Sequence, residues 1–120
     1  MAAKSPSLPI LSIFLLLLFF NSGGTLMVAS GQKTWCVAKP SSTYEELKDN
    51  IDFACSHVSC DIIRDGCPCS TPYTPINHAS VVMNLYYQQM GRNQWNCDFR
   101  NSGLIAVTDP SYDGCQYEYA

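Results

Sequence analysis

Charge, histidine and long apolar runs are all scarce in this chain, and each scarcity removes a class of function. Of its 120 residues 14% are charged and two are histidine. Seven lysines and arginines stand against ten acidic residues, for a net charge of −3. The basic residues form no cluster, so neither a nucleic-acid backbone nor an anionic membrane surface finds a footprint, and a neutral partner fits better. No Asn-x-Ser/Thr sequon occurs, so N-glycosylation is not expected. Residues 116–120 (QYEYA) form no hydrophobic tail, so a GPI-type membrane anchor is not expected either. No internal repeat and no second domain are visible.

The one strongly apolar run, residues 8–20 (LPILSIFLLLLFF), is shorter than the ~20 residues of a membrane span. It follows Lys4 and leads into small and polar residues, which is the pattern of a signal peptide. Val28-Ala29-Ser30-Gly31 offers small residues for cleavage before Gln32. Residues 1–31 are therefore expected to be a signal peptide and residues 32–120 a freely secreted module. Loss of Lys4 leaves Lys33, Lys39, Lys48, Arg64, Arg92 and Arg100 against the ten acidic groups, so 6 − 10 = −4 for the mature chain.

Cysteine is what the chain has in abundance. All seven (36, 55, 60, 67, 69, 97 and 115) lie beyond the leader, and on the secretory route disulfides are their default chemistry. A chain this short buries only about 60% of its unfolded surface, so cross-links supplement a marginal core. An odd count leaves at least one thiol over. His57 and His78 could join a thiol in a metal site, but thiols in an oxidising compartment are better used as disulfides, and neither a metal nor a cofactor is expected. His78 is expected in a surface or capping role.

Trp35-Cys36-Val37-Ala38 before Pro40 reads as a short extended segment. Ser42-Thr43-Tyr44-Glu45 reads as a capping box opening a helix that ends near Cys55. Tyr44, Leu47, Ile51 and Ala54 then form its buried stripe, with Glu46, Lys48, Asp49 and Asp52 in water. An irregular, cross-linked connection follows to Thr74, whose hydroxyl caps a second helix with Pro75 at its first position. That helix runs to about Met90 and stops at Gly91. Ile76, Ala79, Val82, Met83, Tyr86 and Met90 share one face, Asn77, Asn84 and Gln88 lie opposite, and Tyr87 sits at the edge. Val81 and Leu85 fall on the nominally wet side, where the cysteine-rich loop is expected to cover them. Cys97-Asp98-Phe99 and residues 104–108 are strand candidates around Arg100-Asn101-Ser102-Gly103, a hairpin turn. The fold class is thus α+β: a small disulfide-rich domain with two main helices, a short antiparallel β-hairpin and long irregular connections.

Several groups of residues, in order and at matching spacing, carry a resemblance. They are Trp35-Cys36-Val37-Ala38, Phe53-Ala54-Cys55, Cys60-Asp61-Ile62, Cys69-x-x-Pro72, His78-Ala79-Ser80, Asn84-x-Tyr86-Tyr87-Gln88, Cys97-Asp98-Phe99, Asp109-Pro110-Ser111-Tyr112 and Cys115-x-Tyr117. Together they resemble plant carbohydrate-binding module family 43, also called the X-eight domain. That family occurs behind catalytic domains of β-1,3-glucanases, in membrane-anchored callose-binding proteins and in short secreted pollen allergens, and this chain looks like the last group. The resemblance implies binding of β-1,3-glucan, such as callose or laminarin, in the cell wall without cleavage. It also implies the bridges Cys36 to Cys97, Cys55 to Cys60 and Cys69 to Cys115, with Cys67 extra. Cys67-Pro68-Cys69 leaves two sulfurs as rivals for Cys115, and a spare Cys67 is either a free thiol in a monomer or a bridge between two chains.

Sugar recognition needs flat rings against the apolar faces of pyranoses and polar groups reaching hydroxyls. The candidates are Tyr87, Trp95, Tyr112 and Tyr117, with Asn84, Gln88, Asp98 and Arg100 as polar neighbours, while Tyr86 and Trp35 are assigned to the core. Each ring has an alternative role as packing with its polar tip hydrogen-bonded. A glycosidase needs two carboxyl groups across a cleft. Glu45 is assigned to the cap, Glu46 to a wet face and Asp109 to a turn; Asp98 and Asp113 remain, without the walls of a deep cleft, so catalysis is not expected. The alternative from another class is a small disulfide-rich lipid-transfer or defence protein, which the seven cysteines and the lack of an adjacent Cys-Cys pair disfavour.

Overall fold

The computed structural model of the protein describes residues 32–120, and the expected leader, residues 1–31, lies outside the described residues. Strand β1 (Trp35–Ala38) is followed by helix α1 (Tyr44–Cys55), helix α2 (Pro75–Gln89) and strand β2 (Gly103–Ala106). Single 3-10 turns lie at Asp61–Ile63 and Gln94–Cys97. The α+β class with two main helices and an antiparallel strand pair holds.

The strands, however, are not a local hairpin. β1 pairs with β2 from the far end of the chain, Trp35 opposite Ala106 and Ala38 opposite Gly103. Residues 97–99, expected as a strand, instead close the second 3-10 turn and enter a loop. Short extended candidates recruit whichever partner the disulfides bring near, and Cys36–Cys97 brings β1 there.

Helix α1 starts one residue later than the sequence suggested. Thr43, not Ser42, is the N-cap: its hydroxyl accepts from the Glu46 amide at 3.1 Å, and Glu46, not Glu45, accepts the Thr43 amide at 2.8 Å. Tyr44 is consequently exposed, while Leu47 and Ala54 are buried and Asn50 joins them. Thr74 caps α2 as expected, its hydroxyl accepting from the Asn77 amide at 3.2 Å. At the other end Gly91 has φ +101°, the left-handed turn that glycine adopts without penalty. His78, half-buried on the first turn of α2, caps no helix end; its Nε2 lies 2.7 Å from the Ser70 carbonyl oxygen in the preceding loop.

Helix α2 is the centre of the unit formed by Lys33–Ala120. Ala79, Met83 and Tyr87 pack with Cys36, Leu47 and Cys97; Val81 packs with Trp35, Cys69, Cys115 and Tyr117; Val82 and Leu85 pack with Ala54 and Val58. Val81 and Leu85 are thus covered, as expected. Burial on all sides also overturns the assignment of Asn84, Gln88 and Tyr87 to an accessible edge.

Those polar groups serve β1, the residues just before it and the C-terminal segment instead. Asn84 Oδ1 accepts the Cys36 amide at 3.0 Å, and Ser80 Oγ accepts the Ala38 amide at 2.9 Å. Four residues along a helix rise about 6 Å and two along a strand about 6.6 Å, so residues 80 and 84 match alternate amides of β1. In this way α2 satisfies the Cys36 and Ala38 amides on the edge of β1 that β2 leaves open. The Asn84 amide also donates to the Glu118 carbonyl at 2.8 Å, and Gln88 Nε2 donates to the Thr34 carbonyl at 2.9 Å.

Three disulfides join Cys36 to Cys97, Cys55 to Cys60 and Cys69 to Cys115, the pairing that the resemblance implied, and Cys67 takes part in no disulfide within the chain. In the chain-entropy description the two long loops contribute about 4 kcal/mol each and the short one about 2 kcal/mol.

Candidate functional site

On α1, Glu46, Asp49, Asn50 and Phe53 recur at steps of three, one and three, which puts them on one side of the helix. They form one wall of a groove of about 440 Å³. Tyr86 of α2 contributes to it, and the rest is built by Trp95 and Asn96 of the second 3-10 turn and by Asp98, Phe99 and Arg100 of the following loop.

The rings within it are mutually fixed. Phe53 meets Tyr86 at 5.0 Å and Phe99 at 6.0 Å, and Tyr86 meets Phe99 at 5.8 Å, all edge to face. Such pairs add about 0.5–1.5 kcal/mol beyond burial. Trp95 stands apart, 74% exposed, the most exposed of the large apolar side chains described. Amide, carboxylate and guanidinium groups from Asn96, Asp49, Asp98 and Arg100 share this groove. The arrangement offers apolar ring faces and edges for a flat ligand, with donors and acceptors for its hydroxyls.

Unusual backbone carries the loop wall. Phe99, Arg100 and Asn101 have φ of 43°, 53° and 69° in succession. Left-handed backbone costs roughly 1–2 kcal/mol per residue that bears a Cβ, so neighbours must hold this turn. Gly103 is one reason it closes: a Cβ there would lie 1.8 Å from the Cys97 carbonyl oxygen. Its own amide donates to the Asp98 carbonyl at 3.2 Å.

Of the eight candidates, Trp95, Asp98 and Arg100 come together in the groove. Asn84, Tyr87 and Gln88 are 0%, 2% and 2% exposed and are turned inward, where the Tyr87 hydroxyl lies 2.8 Å from Thr34 Oγ1. Tyr112 is half-buried beside α2, its hydroxyl 2.6 Å from the Thr71 carbonyl oxygen and 2.9 Å from Asn77 Oδ1. Tyr117 packs with Trp35, Val81 and Cys115. Burial pushes its phenol up to about 12, with the neighbouring Tyr112 adding to the rise.

Sequence reasoning passed over Phe53, Phe99, Asn96 and the groove-facing role of Tyr86. One signal was available: Phe53 shares a helical side with Glu46 and Asp49, an aromatic residue on an acidic, solvated face. Among the described residues no group of three or more His, Cys, Asp or Glu side chains is placed to hold a metal ion. No helix among them is long and apolar enough to cross a membrane.

A family model for the X8 domain matches residues 34–104 of this chain. The chain belongs to the X8 family. It is the carbohydrate-binding module family whose motifs the sequence carries, and every groove residue lies inside the matched X8 segment. The X8 chain is 42% identical over 89 residues to the major pollen allergen Ole e 10 of Olea europaea, covering 72% of each. It is 44% identical over 88 residues to a glucan endo-1,3-beta-glucosidase of Triticum aestivum, covering 73% of this chain and 19% of the enzyme. A glucan endo-1,3-beta-D-glucosidase of Olea europaea is 45% identical over 85 residues, 70% of this chain and 18% of that protein. This X8 chain therefore spans about a fifth of the length of the two enzymes it matches.

Proposed function

We propose that this protein is a secreted, non-catalytic module of the plant cell wall that binds β-1,3-glucan of the callose or laminarin type in the Phe53–Trp95–Phe99 groove. The observation that carries the reading is the exposed indole of Trp95 beside three interlocked rings and a set of sugar-competent polar groups in one groove. Stacking on a flat side chain is worth about 1–3 kcal/mol per ring in the nucleobase case. A neutral, hydroxyl-rich polymer with apolar ring faces suits that surface. The names of the wheat and olive enzymes that share the X8 segment support the β-1,3 linkage. The allergen relative, of which the match covers 72%, supports action as a single module.

Retention on insoluble β-1,3-glucan with elution by laminarin tests this. Wild type is expected to be retained and to release no reducing sugar, and Trp95→Ala to bind at least about tenfold more weakly, the equivalent of ~1.4 kcal/mol. Unchanged retention of Trp95→Ala removes the groove from the reading. No retention of wild type, with displacement of a fluorescent fatty acid, replaces the glucan reading with lipid carriage.

A further inference from the structure

The buried link between the two walls of the groove is a side-chain pair that touches α1 at one end and the left-handed loop at the other. Asn50 of α1 and Ser102 are both buried. Asn50 Nδ2 donates to Ser102 Oγ at 2.8 Å, and Ser102 Oγ donates onward to the Phe99 carbonyl at 2.6 Å. A hydroxyl has one proton, so this chain of bonds has one direction: α1 to Ser102 to Phe99. The Ser102 amide donates to the same Phe99 carbonyl at 3.1 Å, and the Ser102 carbonyl accepts the Lys39 amide at 2.8 Å. Lys39 Nζ reaches Asn101 Oδ1 at 2.9 Å.

We propose that Ser102, held by Asn50, is a positioning residue that sets Phe99 and Arg100 against the Phe53 wall and so shapes the groove for sugar. This rests on the glucan reading above. Three successive residues with positive φ would relax in an isolated loop. The Ser102 hydroxyl holds the carbonyl of the first of them, the residue whose ring meets both Phe53 and Tyr86. Ser102 itself does not line the groove, so its effect on binding passes through Phe99 and Arg100.

The test is a double-mutant cycle. The affinity of the full module for a laminarin hexasaccharide is measured by calorimetry for wild type, Ser102→Ala, Phe99→Ala and the double variant, at a temperature where amide NMR shows all four folded. Ser102→Ala is expected to bind about tenfold more weakly, with altered amide shifts at 99–101, and the double variant to bind no more weakly than Phe99→Ala. A purely structural Ser102 would lower the melting temperature and leave affinity unchanged; that result, or effects that multiply, overturns the proposal. If Ser102→Ala does not fold, Ser102→Cys, which keeps the size of the side chain and weakens its hydrogen bonds, is put through the same cycle and the same non-additivity is required. Failure of wild type to bind the hexasaccharide defeats the glucan reading itself, whereas equal binding by wild type and Ser102→Ala defeats only the positioning role.

Discussion

Two regions of this molecule have nearly the same chemistry and opposite fates. One is the inner side of α2, with Asn84, Tyr87 and Gln88; the other is the groove, with Asn96, Trp95, Tyr86, Phe53 and Arg100. Both combine aromatic rings with amides. On α2 the polar atoms are committed to the chain itself: Asn84 to Cys36 and Glu118, Gln88 to Thr34, and Tyr87 to Thr34. In the groove Trp95 is left to solvent, and Phe53, Tyr86 and Phe99 meet one another edge to face. The difference teaches that residue type does not distinguish an open groove of rings and amides from a structural polar core; the commitment of the hydrogen bonds does. Adjacent Tyr86 and Tyr87 make the point within one turn of helix, the first facing the groove and the second the interior.

The sharpest way to break the comparison is Asn84→Ala. It strips the partners from the Cys36 amide and the Glu118 carbonyl inside the fold, and we expect a loss of about 2–4 kcal/mol in denaturant unfolding. Glucan affinity of the folded fraction should stay at the wild-type value. Phe53→Ala, on the groove side, should do the reverse: binding weakened about three- to tenfold by glucan titration, with a stability change confined to lost ring contacts. Tyr87→Phe should cost about 1 kcal/mol through its bond to Thr34 and leave retention on glucan unchanged. Tyr117 sharpens the interior side through pH. Its folded phenol, near 12, lies above the usual 10, so the stability it supports is complete below pH 10 and declines as pH rises toward 12. Ultraviolet titration of the phenols should show a late-ionising component that Tyr117→Phe removes. The smallest effect is expected from Cys67→Ser, within about 0.5 kcal/mol in stability, with unchanged migration on non-reducing gels.

Much of the fold was legible. The Thr74-Pro75 start and Gly91 stop of α2 rest on local backbone needs, namely an oxygen for orphan amides and a residue at ease with positive φ, and local needs are written locally. The end of α1 near Cys55 and the cover over Val81 and Leu85 were equally readable. The cap of α1 was not, because Ser42 and Thr43 are chemically equivalent and Glu45 and Glu46 repeat the ambiguity. Only backbone geometry selects Thr43. Nor was the pairing of β2 legible, since residues 97–99 compete for it locally while β1 wins at long range.

Among the candidate residues, Trp95, Asp98 and Arg100 follow from side-chain chemistry, a flat ring with a carboxylate and a guanidinium within a few positions, and short separation in sequence lets one groove gather them. Asn84, Tyr87 and Gln88 were drawn to the surface by helical periodicity, which assumes that a helix has one wet side. That assumption fails for a helix enclosed by β1, α1, the cysteine-rich loop and the C-terminal tail.

By itself, then, the sequence determined two capped helices, a cysteine framework whose pairing follows its family and an acidic charge balance with no basic cluster. These depend on composition and on neighbours within a turn. Tertiary structure alone decided which edge of α2 is dry, which strand meets β1, and that Phe53, Tyr86, Trp95 and Phe99 share one groove. Those outcomes depend on residues dozens of positions apart, joined by the Cys36–Cys97 link and by the Asn50 to Ser102 hydrogen bond.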